Sequence, residues 1–111
     1  MINGNPQLDL LQRLMATAEH RHRVLSQNLA NVNTPGYRRL DISFEEEMKR
    51  QAEQAGALPQ VIEEQGLSSR PDGNNVDMDT ELGHLSQNEM LHQTCTQLLI
   101  SQMAQLRRAM S

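Results

Sequence analysis

The chain has 111 residues, 10 Lys and Arg against 14 Asp and Glu for a formal charge of −4, and is 37% hydrophobic but only 2% aromatic. That length allows one domain, and with Tyr37 and Phe44 as its sole large rings it has little side-chain area for a deep enzyme pocket. The acidic balance argues against a nucleic-acid binder, one cysteine cannot form an internal disulfide, and no run approaches the roughly 20 apolar residues of a membrane span.

The first element is a helix over 5–33. Asn5 precedes Pro6 as a cap residue precedes a first-turn proline. Leu8, Leu11, Met15, Ala18, His22, Leu25, Leu29 and Val32 then recur in alternating steps of three and four, the period that keeps one stripe facing a partner helix. Leu10, Leu14 and Val24 widen that stripe, while Glu19, Arg21, Arg23 and Gln27 lie off it. Pro35 ends the helix, and Thr34-Pro35-Gly36-Tyr37 reads as a type II turn, with glycine at the position that requires positive φ.

Residues 34–44 form this turn and a brief extended segment, in which Leu40, Ile42 and Phe44 alternate with polar residues. A short helix over 44–56 follows, with Ser43 and Glu46 as a capping box, Glu45/Lys49 and Glu46/Arg50 at ion-pair spacing, and Gly56 as its stop. Residues 57–78 are a connector broken at Pro59, Gly66 and Pro71-Asp72-Gly73, with extended pieces around Val61-Ile62 and Val76. The last helix covers 79–110 and opens near Asp79-Thr80. Its stripe is Leu82, Leu85, Glu89, His92, Thr96, Leu99, Met103, Leu106 and Met110, with Leu91, Cys95 and Leu98 on the flank.

The expected fold is therefore mainly α: two long amphipathic terminal helices in an antiparallel, coiled-coil-like hairpin, with a short helix and a loop or extended segment between them. Pairing two helices leaves apolar surface over, so neighbouring copies are expected to cover the rest and to order the helix ends. The assembly seam is Leu8, Leu11, Met15, Ala18, Leu25, Leu29 and Val32 on the first helix, with Leu82, Leu85, Leu99, Met103, Leu106 and Met110 on the last. Seven methionines serve either as core filler or as adaptable contacts with unlike neighbours.

Chemical sites fare poorly. His20 and His22, two apart on a helix, point roughly 200° from each other and cannot share a metal ion. Both His22 and His92 read as polar occupants of the seam. The stretch from Asp72 to Asp79 lacks the glycine and glutamate that an EF-hand needs at loop positions six and twelve, so a turn and helix cap is expected instead. Arg21, Arg23, Arg38 and Arg39 lack interleaved aromatic rings and are expected to face solvent or bridge to a neighbour. Cys95 has no nucleophile-and-base motif and reads as a small core residue. No catalytic residue, cofactor or metal ligand is assigned. Tyr37 is expected to anchor its turn against the last helix or an adjoining subunit.

The segment Leu29-Ala30-Asn31-Val32-Asn33-Thr34-Pro35-Gly36-Tyr37 resembles the N-terminal signature of bacterial flagellar rod and hook proteins. Its motif residues are Leu29, Ala30, Asn31, Asn33, Thr34, Pro35, Gly36 and Tyr37. Asp41-Ile42-Ser43-Phe44-Glu45, the run from Asp72 to Asp79, and Asn88, Met90 and Gln93 are similar to the FlgB-type, proximal-rod branch of that family. His92 departs from it by replacing a common Tyr, and the short connector between Arg50 and Arg70 leaves little or no outer domain.

The resemblance implies a structural subunit of the flagellar basal-body rod, localised to the periplasm-spanning drive shaft and doing no chemistry. Its implied partners are further copies, other rod proteins, basal-body ring and adaptor proteins, and the flagellar type III export apparatus. No nucleic acid and no direct membrane span are implied. The stretch Met1 to Pro6 has neither the basic nor the apolar part of a cleaved signal peptide, in keeping with export by that route. The alternative is a cytoplasmic helical-hairpin adaptor for partner helices, with an enzyme a distant third. A rod subunit should polymerise or co-assemble, whereas an adaptor should close at a fixed small stoichiometry.

Overall fold

In the computed structural model, which describes residues 5–54 and 58–111, the terminal helices flank a short middle helix and a two-stranded sheet. The Asn5 side chain accepts from the N–H groups of Gln7 and Leu8 at 3.1 Å each, so α1 (Pro6–Ala30) begins with two of its otherwise free donors satisfied. At its other end the Asn31 N–H is shared between the carbonyls of Gln27 and Asn28. Past that cap, the Tyr37 N–H donates to the Thr34 carbonyl at 3.2 Å, and Gly36 takes φ +76°.

Strand β1 (Leu40–Ile42) pairs antiparallel with β2 (Val61–Glu63), Asp41 lying opposite Ile62. Ile42 is buried, whereas all of β2 is exposed. Between the strands lies α2 (Phe44–Glu53), which packs on α1 where the Thr17 hydroxyl donates to Met48 Sδ at 3.6 Å. Ser43 occupies the N-cap without a side-chain bond, so the expected capping box with Glu46 does not form; the acids Glu45 to Glu47 still face the positive end of the helix. Arg50 lies 3.7 Å from Glu47, which is buried, one turn back. The expected stop at Gly56 lies outside the described residues.

The final helix, α3 (Met78–Met110), is capped by Asp77, whose carboxylate accepts from the N–H groups of Asp79 and Thr80 at 3.0 and 3.4 Å. It therefore opens just before the expected Asp79-Thr80. Asn28 meets Glu81, Ala18 meets Asn88 and Glu19 meets His92, so the two long helices run antiparallel. Leu8, Leu11, Ala18, Leu25 and Cys95 are buried along this hairpin, and Val24, Ile42 and Val76 complete the apolar core.

The inner face of α3 is rotated by one residue from the stripe read off the sequence. Glu81, Asn88 and Cys95, seven apart, are the buried positions, with Leu85, His92 and Leu99 half-buried between them. Leu82 and Glu89 are exposed. The physical reason is that Glu81 and Asn88 find partners inside, which removes the cost that would have kept them in water. His22, expected in the seam, is exposed for the converse reason: the inward positions beside it are held by Ala18 and Leu25. Extending the hairpin's register, the last turns of α3 run past Asn5, and Met103, Leu106 and Met110 are exposed there.

Candidate functional site

The most elaborate part of the molecule is a buried polar junction where the end of α1, the turn after it and the loop before α3 converge. Asn28 is at its centre with no exposed surface. Its Nδ2 donates to the Leu40 carbonyl at 2.7 Å and to Glu81 at 3.3 Å. Its Oδ1 accepts from the Leu40 N–H at 2.9 Å and from the Tyr37 hydroxyl at 3.1 Å. One amide thus ties α1, the signature turn, β1 and α3 together.

Arg39 is the second hub. Its Nε donates to Glu81 Oε1 at 2.5 Å and its Nη2 to Asp41 at 3.1 Å, while Nη1 reaches Glu64. Burial works against the Arg39 charge, but the bond and attraction of Glu81, with Asp41 and Glu64, hold its pKa above the usual arginine value. Burial would raise Asp41, yet Arg21 binding it at 3.0 and 3.2 Å, the Ile42 N–H and the Arg39 charge pull its carboxyl below the usual range. Tyr37 is raised by burial and by the charge of Glu81. Arg21 and Arg39, expected to face solvent or bridge to a neighbour, form internal ion pairs instead.

The loop before α3 completes the junction. Asn74, fully buried, donates from Nδ2 to the carbonyls of Asn31, Val32 and Thr34 at 2.9, 3.2 and 2.8 Å, satisfying acceptors at the end of α1 and in the turn after it. Arg70 adds bonds to the carbonyls of Val32 and Val76. Asn75 accepts from the Arg39 N–H at 2.6 Å through its side chain. The two turns meet at their glycines: the Gly36 N–H donates to the Asp72 carbonyl at 2.8 Å, and a Cβ on Gly73 would lie 3.4 Å from Gly36 Cα. Asp72 closes its own turn by accepting from the Asn74 N–H at 3.0 Å.

Of the motif residues expected from the sequence, Leu29, Asn31 and Tyr37 are half-buried, while Ala30, Asn33, Thr34, Pro35 and Gly36 are exposed. Tyr37 anchors its turn through Asn28 of α1, which in turn holds Glu81 of α3. Of the seam residues, Leu8, Leu11, Ala18 and Leu25 are buried, and Met15, Leu29, Val32, Leu85 and Leu99 are half-buried. Leu82, Met103, Leu106 and Met110 remain on the surface.

The burial of Asn28, Arg39, Asn74, Glu81 and Asn88 escaped the sequence reading, because a polar residue announces burial only through its partners. The signal present was the spacing of seven from Glu81 to Asn88 to Cys95.

Among the described residues no group of three or more His, Cys, Asp or Glu side chains could hold a metal ion, and no helix is long and apolar enough to cross a membrane. Burial pushes the Cys95 thiol up, away from the thiolate form that a nucleophile needs. The arrangement is that of a clamp, fixing two long helices in one register with their remaining apolar faces turned outward.

Known proteins resemble this chain in sequence. A family model for flagella basal body rod proteins matches residues 12–38, which span most of α1, the turn and Arg38. The flagellar basal body rod protein FlgB of Borrelia hermsii is 31% identical, over 82% of this chain and 85% of that protein. FlgB of Salmonella typhimurium is also 31% identical, over 83% of each. FlgB of Bacillus subtilis is 24% identical, over 75% of this chain and 76% of its own.

Proposed function

Because this chain belongs to the FlgB family of flagellar basal body rod proteins, we propose that it is a structural subunit of the proximal rod, built into the drive shaft through its two terminal helices. Its work is mechanical. Further copies and other rod proteins are its lateral and axial neighbours, with ring and adaptor proteins of the basal body at the rod's base. It reaches that place through the flagellar type III export apparatus, and its role there is structural rather than catalytic.

The observation that carries this reading is the apolar surface left on a hairpin whose register is already locked. Leu82, Met103, Leu106 and Met110 stay exposed although Arg39, Asn28 and Glu81 fix the helices that bear them. A rigid element with an unsatisfied stripe is suited to stacking, and a heterologous contact that does not close into a ring extends into a helical filament. The seam residues on α1 serve mainly the internal hairpin, and those on α3 divide between the hairpin and the neighbours.

The test is deletion of the gene in its own bacterium. The expected result is loss of the flagellum with the membrane ring still assembled, and recovery on complementation. Normal flagella in the deletion strain would overturn the reading.

A further inference from the structure

We propose that the last turns of α3, Met103 to Met110, dock into the groove between α1 and α3 of a second copy, a head-to-tail contact that rests on the rod reading above. The groove has a volume of about 430 Å³, and its walls include Ala18, Glu19 and Arg23 from α1 with Asn88, Glu89 and His92 from α3. Ala18 provides a small apolar floor. Glu19 and Glu89 are exposed carboxylates along the rim beside Arg23, with His22 and His92 also lining it and His92 Nε2 3.2 Å from Glu19 Oε1. Beneath them Asn88 is 3% exposed, and its Oδ1 has no hydrogen-bond partner among the described residues, so an unopposed carbonyl dipole adds to the negative potential.

The tail has the complementary character. Met103, Leu106 and Met110 form an apolar stripe on the part of α3 that extends beyond α1, where they stay exposed. Arg107 and Arg108 lie beside them in the last turn of the helix, and among the described residues neither forms an ion pair. An apolar ridge flanked by two free guanidinium groups fits a groove with an apolar floor and a carboxylate rim, and Arg can bind carboxylates in bidentate fashion.

The occupant must come from another molecule. Along one continuous helix, Glu89 and Arg107 are separated by roughly 27 Å at 1.5 Å per residue, so the tail cannot reach the groove of its own chain. Because the tail of one copy meets the middle of the next, the contact uses two different surfaces and leaves a free tail and a free groove at the ends.

Reversing the charges on each side tests the contact in the full chain by sedimentation at increasing concentration. The E19K/E89K and R107E/R108E proteins are each expected to lose self-association, and their equimolar mixture to regain it, since each tail then finds an oppositely charged groove. The milder E19Q/E89Q and R107Q/R108Q proteins, which carry no reversed charge, are expected to associate roughly five- to tenfold more weakly than the wild type. Wild-type association in the reversed or neutralised proteins, no recovery on mixing, or a wild type that stays monomeric at every concentration would overturn the docking. Unimpaired association in the variants beside a deletion strain without flagella removes this contact alone, whereas flagella persisting after deletion remove the rod reading.

Discussion

Arg39 and Glu81, 42 positions apart in sequence, are joined by a 2.5 Å bond between side chains that are 4% and 0% exposed. This is the longest-reaching ion pair of the polar junction, and it fastens the segment after the signature turn to the first turns of α3. A charge enclosed to this degree is tolerable only with its partner in place. Replacing either residue by Ala is expected to destabilise the fold by about 3–5 kcal/mol, and the double variant by clearly less than the two losses added together. Urea unfolding of the single and double variants, followed by helical circular dichroism, measures that coupling. Additive losses would show that the pair does not act as a unit.

The Tyr37 hydroxyl donates to Asn28 at 3.1 Å and also meets the Gln27 side chain, whereas the Asn28 side chain makes four bonds. Tyr37→Phe removes one donor and is expected to cost about 0.5–1.5 kcal/mol. Asn28→Ala strands the Leu40 backbone groups, the Tyr37 hydroxyl and part of Glu81 at once, so its cost should exceed that of Tyr37→Phe severalfold. Thermal melts of the two variants give the order. Equal shifts in Tm would contradict the central role of Asn28.

Asp41 and Tyr37 set opposite limits of pH. The Asp41 pKa is lowered in the fold, so its contribution is fully present above the unfolded value of about 3.9 and is lost as pH falls through the folded value. The Tyr37 pKa is raised, so its contribution is present below about 10 and is lost as pH climbs through the folded value. Stability is therefore expected to be flat from these two groups between those limits and to decline on both sides. Arg21→Ala removes the strongest influence holding Asp41 down and should move the acid limb to higher pH, as read by urea midpoints across the titration. An unmoved acid limb would assign it to other carboxylates.

Gly73 lies at φ +87° with its missing Cβ position 3.4 Å from the Gly36 backbone, while Gly36, at φ +76°, has open space around it. Alanine at Gly36 meets only the backbone penalty of left-handed geometry, about 1–2 kcal/mol. At Gly73 the same penalty is joined by a contact with the Gly36 backbone that leaves little slack in a turn that must sit close enough for the Gly36 N–H to reach Asp72. Gly73→Ala is therefore expected to destabilise more than Gly36→Ala. Denaturation midpoints compare them, and the reverse order would mean that the two turns separate without cost.

The elements whose cause is local could be read from the linear order of residues. Asn5-Pro6 starts α1, Pro35 prevents its continuation, Gly36 permits the turn, and the step of three and four makes both terminal helices amphipathic; each of these acts within a few residues along the backbone. The signature from Leu29 to Tyr37 identified the family for the same reason, since it is contiguous. What lies inside, and which way α3 faces, was decided only when distant segments met. Glu81 and Asn88 turn inward because Arg39, Asn28 and the Ala18 carbonyl are there to receive them, and Leu82 is thereby turned out. Hydropathy assigns each side chain its affinity for water in isolation, whereas the free energy of burying a polar group depends on a partner many residues away, and that partner exists only in the folded chain.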